Sequence, residues 1–180
     1  MNKKRKLPYK IKYTAFVAAS IDGRISKNSW SPVDWTSKED WNFFQKSLTK
    51  MDVVVAGHNT YKVAEARFKR RNTIVLTSKI NKLESSGSVV FFNPKKSNLE
   101  IFLQSKNYKK VAILGGPKVY NFFLENKMLD ELFVTIEPYV FTTGIPMFSG
   151  GKFQKYSFVL KSIKKLNKKG TILLKYKYAN

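Results

Sequence analysis

The chain has no cysteine among its 180 residues and only one histidine, His58. These absences exclude disulfide bonds, thiolate nucleophiles and metal sites built from cysteine or from several histidines, so we expect no bound metal. A serine nucleophile would need a histidine or lysine base, and nothing in the sequence suggests such an arrangement. Hydrolysis through a covalent intermediate is therefore not indicated.

Long apolar runs and the common nucleotide-binding fingerprints are also missing. No run approaches the roughly 20 residues that cross a bilayer, and the charged start MNKKRKLPYK is not followed by the apolar segment of a signal peptide. We therefore expect a cytoplasmic protein. Neither G-x-G-x-x-G nor a P-loop pattern occurs, so any nucleotide must be held in another way.

Acidic residues are scarce: 12 Asp and Glu face 34 Lys and Arg, which gives a formal net charge of +22. Such a balance favours binding to a polyanion, and a nucleic-acid-binding protein is one hypothesis. The cations are dispersed along the chain, however, as in a solvated surface. We expect nucleic-acid binding to be only non-specific, through net charge.

The length and the 43% apolar content predict one domain, residues 11–180, after a basic N-terminal extension, residues 1–10. Apolar strand-like runs at 11–19, 52–57, 72–78, 88–92 and 110–116 alternate with helical patterns at 37–50, 59–65, 97–106 and 117–127. This alternation predicts an α/β fold in three layers, with a mostly parallel sheet between helices.

The pattern changes after residue 130. Three further strand-like segments follow, and the last two read as an antiparallel hairpin that turns between Asn167 and Gly170. The sheet is therefore expected to be mixed, and we expect a monomer or a homodimer.

The helix predicted at 37–50 carries the most informative polar residue. Its SKED start offers a serine N-cap and acids in the first turn, while Trp41, Phe44 and Leu48 form an apolar stripe. Asp40 lies one turn before Phe44, close to that stripe. A carboxylate in an apolar pocket needs a ligand or donor, whereas one that only supports the helix start points to water. The position of Asp40 in the sequence is compatible with either role.

Polar groups follow several predicted strands. GHNT (57–60), TSK (77–79) and GGPK (115–118) each come after a strand, and open α/β sheets bind ligands beyond the carboxyl ends of their strands. Turn chemistry alone could explain each. Asp22-Gly23 could likewise be an ordinary turn, yet the aperiodic stretch 26–36 behind it has the length of a lid.

Together these motifs resemble the dihydrofolate reductase family, which includes the reductase domains of riboflavin biosynthesis. The resemblance spans about residues 11–178 and rests on six segments in the family order: FVAASIDGRIS, VDWTSKEDWNFF, VVVAGHNTY, NTIVLTS, ILGGPKVY and LDELFVTIEPYVFTTGIPMF. It implies an eight-stranded mixed sheet with a C-terminal antiparallel hairpin. NADPH would be the hydride donor and a dihydropterin the acceptor.

The resemblance also implies roles for individual residues at the substrate. Asp40, five residues after Trp35, matches the family's acid, which grips the amino-pyrimidine edge and assists protonation at N5. Thr135 matches the threonine that hydrogen-bonds this acid, and Phe44 and Ala18 match residues that contact the ring. Arg71 stands at the family spacing for the arginine that pairs with the glutamate tail; it could also be one more surface cation.

For the cofactor, the resemblance and the strand-end motifs give a larger set. Its glycines would let the backbone approach the cofactor, and its hydroxyls and cations would face phosphate groups. The set is Ala19, Ile25, Gly57, His58, Asn59, Thr60, Thr77, Ser78, Lys79, Gly115, Gly116, Pro117, Lys118, Val119 and Tyr120. It further implies a cis Gly115–Gly116 peptide, with Pro117 opening the next helix.

Two departures from the family pattern leave open the preference for NADPH over NADH and the identity of the substrate. His58 stands where many members carry an arginine for the 2′-phosphate, and AEARFKRR replaces the usual proline-rich segment before the substrate arginine. The resemblance favours reduction of 7,8-dihydrofolate to tetrahydrofolate. The alternative is a riboflavin-pathway reductase acting on a ribosylaminopyrimidine phosphate.

Overall fold

The computed structural model describes residues 9–151 and 153–179. Its strands are β1 (Lys12–Ser20), β2 (Arg24–Ser26), β3 (Val53–Gly57), β4 (Thr73–Leu76), β5 (Glu84–Ser86), β6 (Val89–Phe92), β7 (Lys110–Ile113), β8 (Glu131–Glu137), β9 (Ile145–Pro146), β10 (Phe158–Lys165) and β11 (Ile172–Tyr178). Its helices are α1 (Lys38–Leu48), α2 (His58–Val63), α3 (Glu65–Phe68), α4 (Leu99–Ser105) and α5 (Pro117–Glu125).

Nine of these strands form one sheet in the order β10-β11-β8-β1-β7-β3-β4-β6-β5. The six from β8 to β6 run parallel to one another, whereas β11, β10 and β5 are antiparallel to their neighbours. Strands β2 and β9 form a separate antiparallel pair. The parallel strands end at one edge, and the segments that follow them meet there.

Alternate residues of each central strand face opposite layers, which is why these strands are apolar almost throughout. Val53 and Val55 of β3 pack in one core with Leu103 of α4 and Phe123 of α5. Val54 and Ala56, together with residues of β1 and β4, pack in a second core with Leu48 of α1, Tyr61 of α2 and Phe68 of α3. Helices therefore cover both faces of the sheet.

The predicted fold class is confirmed: a mixed, mostly parallel sheet lies between helices and ends in the hairpin β10–β11, where the Gly170 amide donates to the Asn167 carbonyl. The sheet has nine strands rather than the implied eight because the exposed three-residue β5 adds to its edge. The pair β2–β9 and helix α3 were not predicted; each is too short to show periodicity.

The predicted extension, residues 1–10, falls mostly outside the described residues. In the part that the structure describes, no helix is long and apolar enough to cross a membrane.

The buried ring of Phe123 gives a test of this packing. It is fully buried and lies 5.4 Å from the ring of Tyr13, measured between centroids. Phe123→Ala should lower the free energy of unfolding by about 3–5 kcal/mol, measured by urea denaturation, because it removes apolar contacts and leaves a cavity. Phe153→Ala is the control: Phe153 is fully exposed, so a similar loss there would contradict this account.

Candidate active site

A cleft of about 1190 Å³ opens at the carboxyl edge of the parallel strands. Its walls come from β1, α1 and the segments that follow β3, β4 and β7, with β8 behind. This exceeds the usual volume of a pocket for one drug-sized molecule. The cleft has room for two ligands side by side.

Most of the predicted site residues line this one surface: Ala18, Ile25, Asp40, Phe44, Gly57, His58, Asn59, Thr60, Arg71, Thr77, Ser78, Lys79, Gly116, Pro117, Lys118, Val119, Tyr120 and Thr135. Three others, Ala19, Trp35 and Gly115, lie outside the lining. Ala19 is fully buried in β1. The Trp35 ring packs edge-on against Phe141 with centroids 4.9 Å apart.

Asp40 is held by the start of α1. The hydroxyl of Ser37, the residue before the helix, accepts a hydrogen bond of 3.3 Å from the Asp40 amide, as an N-cap does. The Asp40 side chain faces the cleft and the residue is only 8% exposed. An acid that merely supported the helix start in bulk water would not be buried in this way.

The surroundings of Asp40 disfavour its ionised form. Burial raises the pKa of the Asp40 carboxyl above its ordinary value, and the negative charge of Glu137 raises it further. Hydrogen bonds from the Thr135 and Thr36 hydroxyls act in the opposite direction, because they stabilise the carboxylate. The carboxyl is thus suited to hold a proton closer to neutrality than an exposed aspartate does.

An aromatic wall flanks the carboxylate. Phe16 of β1 stacks on Phe133 of β8 with centroids 5.3 Å apart and planes within 5°. Phe44 meets Phe16 nearly edge-on at 6.1 Å, and Phe43 also lines the cleft. Of these rings only Phe44 was predicted. The others sit in strands or beside it on the helix, where the sequence shows only core-like apolar residues.

The end of the aromatic wall beside Trp41 and Gln45 of α1 is cationic. The Arg67 guanidinium lies 4.6 Å from the centre of the Trp41 ring, and an Arg71 nitrogen lies 3.5 Å from the Gln45 side-chain oxygen. Trp41 and Gln45 are one helical turn apart on α1, so the two guanidinium groups are neighbours. Arg70 also lines the cleft. Sequence reasoning selected only Arg71 from this group.

The second half of the cleft is built around the glycine pair. The Gly115–Gly116 peptide is cis, as the resemblance implies. The Gly57 amide donates to the Gly115 carbonyl at 2.7 Å, which joins the ends of β3 and β7. Gly116 is the N-cap of α5, and Pro117 opens that helix. Pro117 has no N–H and the Val119 amide donates to the Gly116 carbonyl, so the Lys118 amide, which has no acceptor in the described part of the chain, is the one at the α5 start that suits an anion.

Gly115 cannot be replaced without a clash. Its φ is +87°, and a Cβ there would lie 2.8 Å from the ring of Tyr120. That ring is fixed, because the buried Tyr120 hydroxyl donates to the Phe16 carbonyl at 2.6 Å. Burial also raises the pKa of the Tyr120 hydroxyl, so the phenol remains a donor.

Lysines border this half of the cleft. Lys79 and Lys118 were predicted, whereas Lys95, from the segment after β6, was missed. The Thr77 hydroxyl accepts from the Lys79 amide at 3.2 Å and so shapes the turn after β4. The Nδ1 atom of His58 is buried and has no hydrogen-bond partner in the described part of the chain.

The predicted lid borders both halves. Asp22 behaves as a turn residue whose carboxylate accepts from the Phe141 and Thr142 amides at 3.1 and 2.9 Å, which ties the loop after β8 to the loop after β1. From the segment 26–36 the lining includes Ser26, Asn28, Ser29, Ser31, Pro32, Val33 and Thr36. Among residues 9–151 and 153–179 no acidic or histidine cluster could hold a metal ion.

Comparison with known proteins identifies the family. The dihydrofolate reductase family model matches residues 13–176. The uncharacterized protein YwjB of Bacillus subtilis is 26% identical over 145 residues, which cover 76% of this chain and 82% of that protein.

Two solved structures share the fold. A pyrimidine reductase-like protein from Corynebacterium diphtheriae superposes with a TM-score of 0.77 at 17% identity, covering 94% of this chain and 92% of that one. The dihydrofolate reductase of Enterococcus faecalis, in complex with NADP(H) and RAB-propyl, gives a TM-score of 0.66 at 23% identity, covering 94% of this chain and 97% of that one.

Replacement of the buried acid should stabilise the folded protein. Because the Asp40 pKa is higher in the folded chain than in the unfolded one, folding loses stability as the pH rises through the interval between the two values. Asp40→Asn removes this loss, so its Tm at pH 8 should exceed that of the parent.

Calorimetry at pH 8 and at pH 4 checks this, since the advantage should shrink at the lower pH. A variant less stable than the parent at pH 8 would contradict the assignment of Asp40 as a buried, unfavourable charge.

Proposed function

The chain belongs to the dihydrofolate reductase family, and we propose that it reduces 7,8-dihydrofolate to tetrahydrofolate with NADPH as the hydride donor. The observation that carries the proposal is the buried Asp40 carboxyl, which faces the cleft beside an aromatic wall and the Thr135 side chain.

Asp40 can both orient the pterin and assist its protonation. Its two oxygens can accept hydrogen bonds from the N–H groups on the amino-pyrimidine edge, while the ring lies between Phe44 and the floor of the cleft. Reduction of the N5=C6 bond adds a hydride to C6 and a proton to N5. Because the Asp40 pKa is raised, its carboxyl holds a proton more readily than an exposed aspartate does and can pass one towards N5.

The half of the cleft around the glycine pair supports a bound dinucleotide. When bound there, NADPH supplies the hydride. Gly57 and Gly116 leave space for a pyrophosphate, which would meet the Lys118 amide at the start of α5. Lys79, Lys95 and Lys118 can meet the additional 2′-phosphate. The Enterococcus faecalis reductase, which has this fold, was solved with NADP(H).

The cationic end of the aromatic wall supports a substrate with an anionic tail. Arg71 is half-buried and lies beside Gln45, so its guanidinium is held near the outer end of the wall. A guanidinium of this kind can make two hydrogen bonds with one carboxylate. Dihydrofolate, with a ring at one end and a glutamate at the other, fits this polarity.

A ribosylaminopyrimidine phosphate is the second candidate substrate. The favouring observation is that the Corynebacterium diphtheriae pyrimidine reductase-like protein superposes with a TM-score of 0.77, against 0.66 for the dihydrofolate reductase. Arg67, Arg70 and Arg71 could equally hold its phosphate.

The purified protein should oxidise NADPH when dihydrofolate is present, followed by absorbance at 340 nm. Asp40→Asn should lower kcat/KM by about 100-fold or more, because the proton and the ring anchor are lost together. Asp34→Asn, the same change in an exposed acid of the preceding loop, is the control and should retain activity. Turnover of the ribosylaminopyrimidine phosphate with none of dihydrofolate would select the second candidate.

Removal of the tail contact should be visible only with a substrate that has a tail. Arg71→Leu should raise KM for dihydrofolate by roughly tenfold or more, the cost of a charge-assisted hydrogen bond. KM for a dihydropterin without the glutamate should not change. Equal effects on both substrates would show that Arg71 acts on the fold rather than on the tail.

A further inference from the structure

Glu137 is a buried carboxylate that the proposed reaction does not use. It is the last residue of β8, is 1% exposed and does not line the cleft. It lies two residues after Thr135, so both side chains project from the same face of the strand. A charge buried to this degree is costly unless the fold satisfies it.

Both oxygens of Glu137 accept short hydrogen bonds. Oε1 accepts from the Ser37 amide at 2.6 Å, and Oε2 accepts from the Thr171 hydroxyl at 2.6 Å. The Thr171 hydroxyl in turn accepts from the Asn167 amide group, which also donates to Glu39 at the surface. Glu137 thereby joins β8, the hairpin β10–β11 and the start of α1.

Two routes connect Glu137 to Asp40. Ser37, whose amide is held by Glu137, uses its own hydroxyl to cap the Asp40 amide. The Glu137 charge also acts through space and raises the pKa of the Asp40 carboxyl. Glu137 therefore affects Asp40 both through hydrogen bonds at the start of α1 and through its negative charge.

The charged groups around the pair are few. Facing Asp40 are Glu137 from β8 and the hydroxyls of Thr36 and Thr135. Behind Glu137, the hairpin contributes the neutral Thr171 and Asn167, and Glu39 beyond them is exposed and close to Lys38 and Lys169. Neither buried carboxylate takes part in an ion pair among the described residues.

We propose that Glu137 is a positioning residue that fixes the first turn of α1 and acts on Asp40 as a negative charge from behind the cleft. This proposal rests on the proposed function in one respect: it assumes that Asp40 takes part in the reaction. The charge argument applies to any substrate that Asp40 protonates.

The experiment compares Glu137→Gln with Glu131→Gln, the same change at the far end of the same strand. Glu131 pairs with Lys12 and Lys175 away from the cleft. Carboxyl NMR follows the titration of Asp40 in the protein without ligands, and single-turnover NADPH oxidation gives the pH profile of the reduction.

In Glu137→Gln the midpoint of the Asp40 titration should move to lower pH, because a neighbouring negative charge has been removed. The rate on the alkaline side of the profile should fall roughly threefold, since a smaller fraction of Asp40 then carries the proton. Glu131→Gln should change neither the midpoint nor the profile. A purely structural role for Glu137 would not move the midpoint.

The double variant Glu137→Met/Thr171→Val covers the case in which Glu137→Gln does not fold. It replaces both partners of the Glu137–Thr171 hydrogen bond by apolar groups of similar shape, so neither end of that bond is left unsatisfied, while the Ser37 amide loses its acceptor. The same shift of the Asp40 midpoint is expected in it. An unchanged midpoint in the variants that fold would overturn the proposal.

The NMR titration separates this proposal from the proposed function. A protein that reduces no dihydrofolate but still shows the shifted Asp40 midpoint in Glu137→Gln would overturn only the proposed function.

Discussion

The site depends on keeping one carboxylate in an apolar pocket. Asp40 loses its hydration there and regains only the hydroxyl hydrogen bonds of Thr135 and Thr36, so its ionised form remains disfavoured. The start of α1, which carries Asp40, and strand β8, which carries Thr135, must both be in place to maintain this arrangement. In the proposed reaction, Asp40 could hold and deliver a proton because the fold leaves its charge incompletely compensated.

The sheet order explains why these parts meet. Strand β8 lies directly beside β1 although 110 residues separate Ser20 from Glu131, and β11 flanks β8 on the other side. Thr135 thus pairs with Ala18 across the sheet and with Leu173 on the far side. A distant segment of the chain supplies the donor for Asp40 and the wall behind it.

Much of this was predictable from the sequence. Strands such as β3 and helices such as α1 are long enough to show their periods, and the N-cap Ser37 is marked by its position before an amphipathic run. β5, β9 and α3 are too short for that. The cleft-facing role of Phe16 and Phe133 and the burial of Glu137 depend on strand pairing, which no local pattern records.

Gly115 and Tyr120 have a consequence for how this sequence can drift. The absent side chain at 115 is the space that the Tyr120 ring occupies, and the Tyr120 hydroxyl anchors α5 to the Phe16 carbonyl. Position 115 is not free to vary alone, because a side chain there would need both a smaller partner at 120 and a new backbone conformation. A change at 115 therefore has to follow a change at 120, and as long as the Tyr120 ring is present only glycine fits at 115.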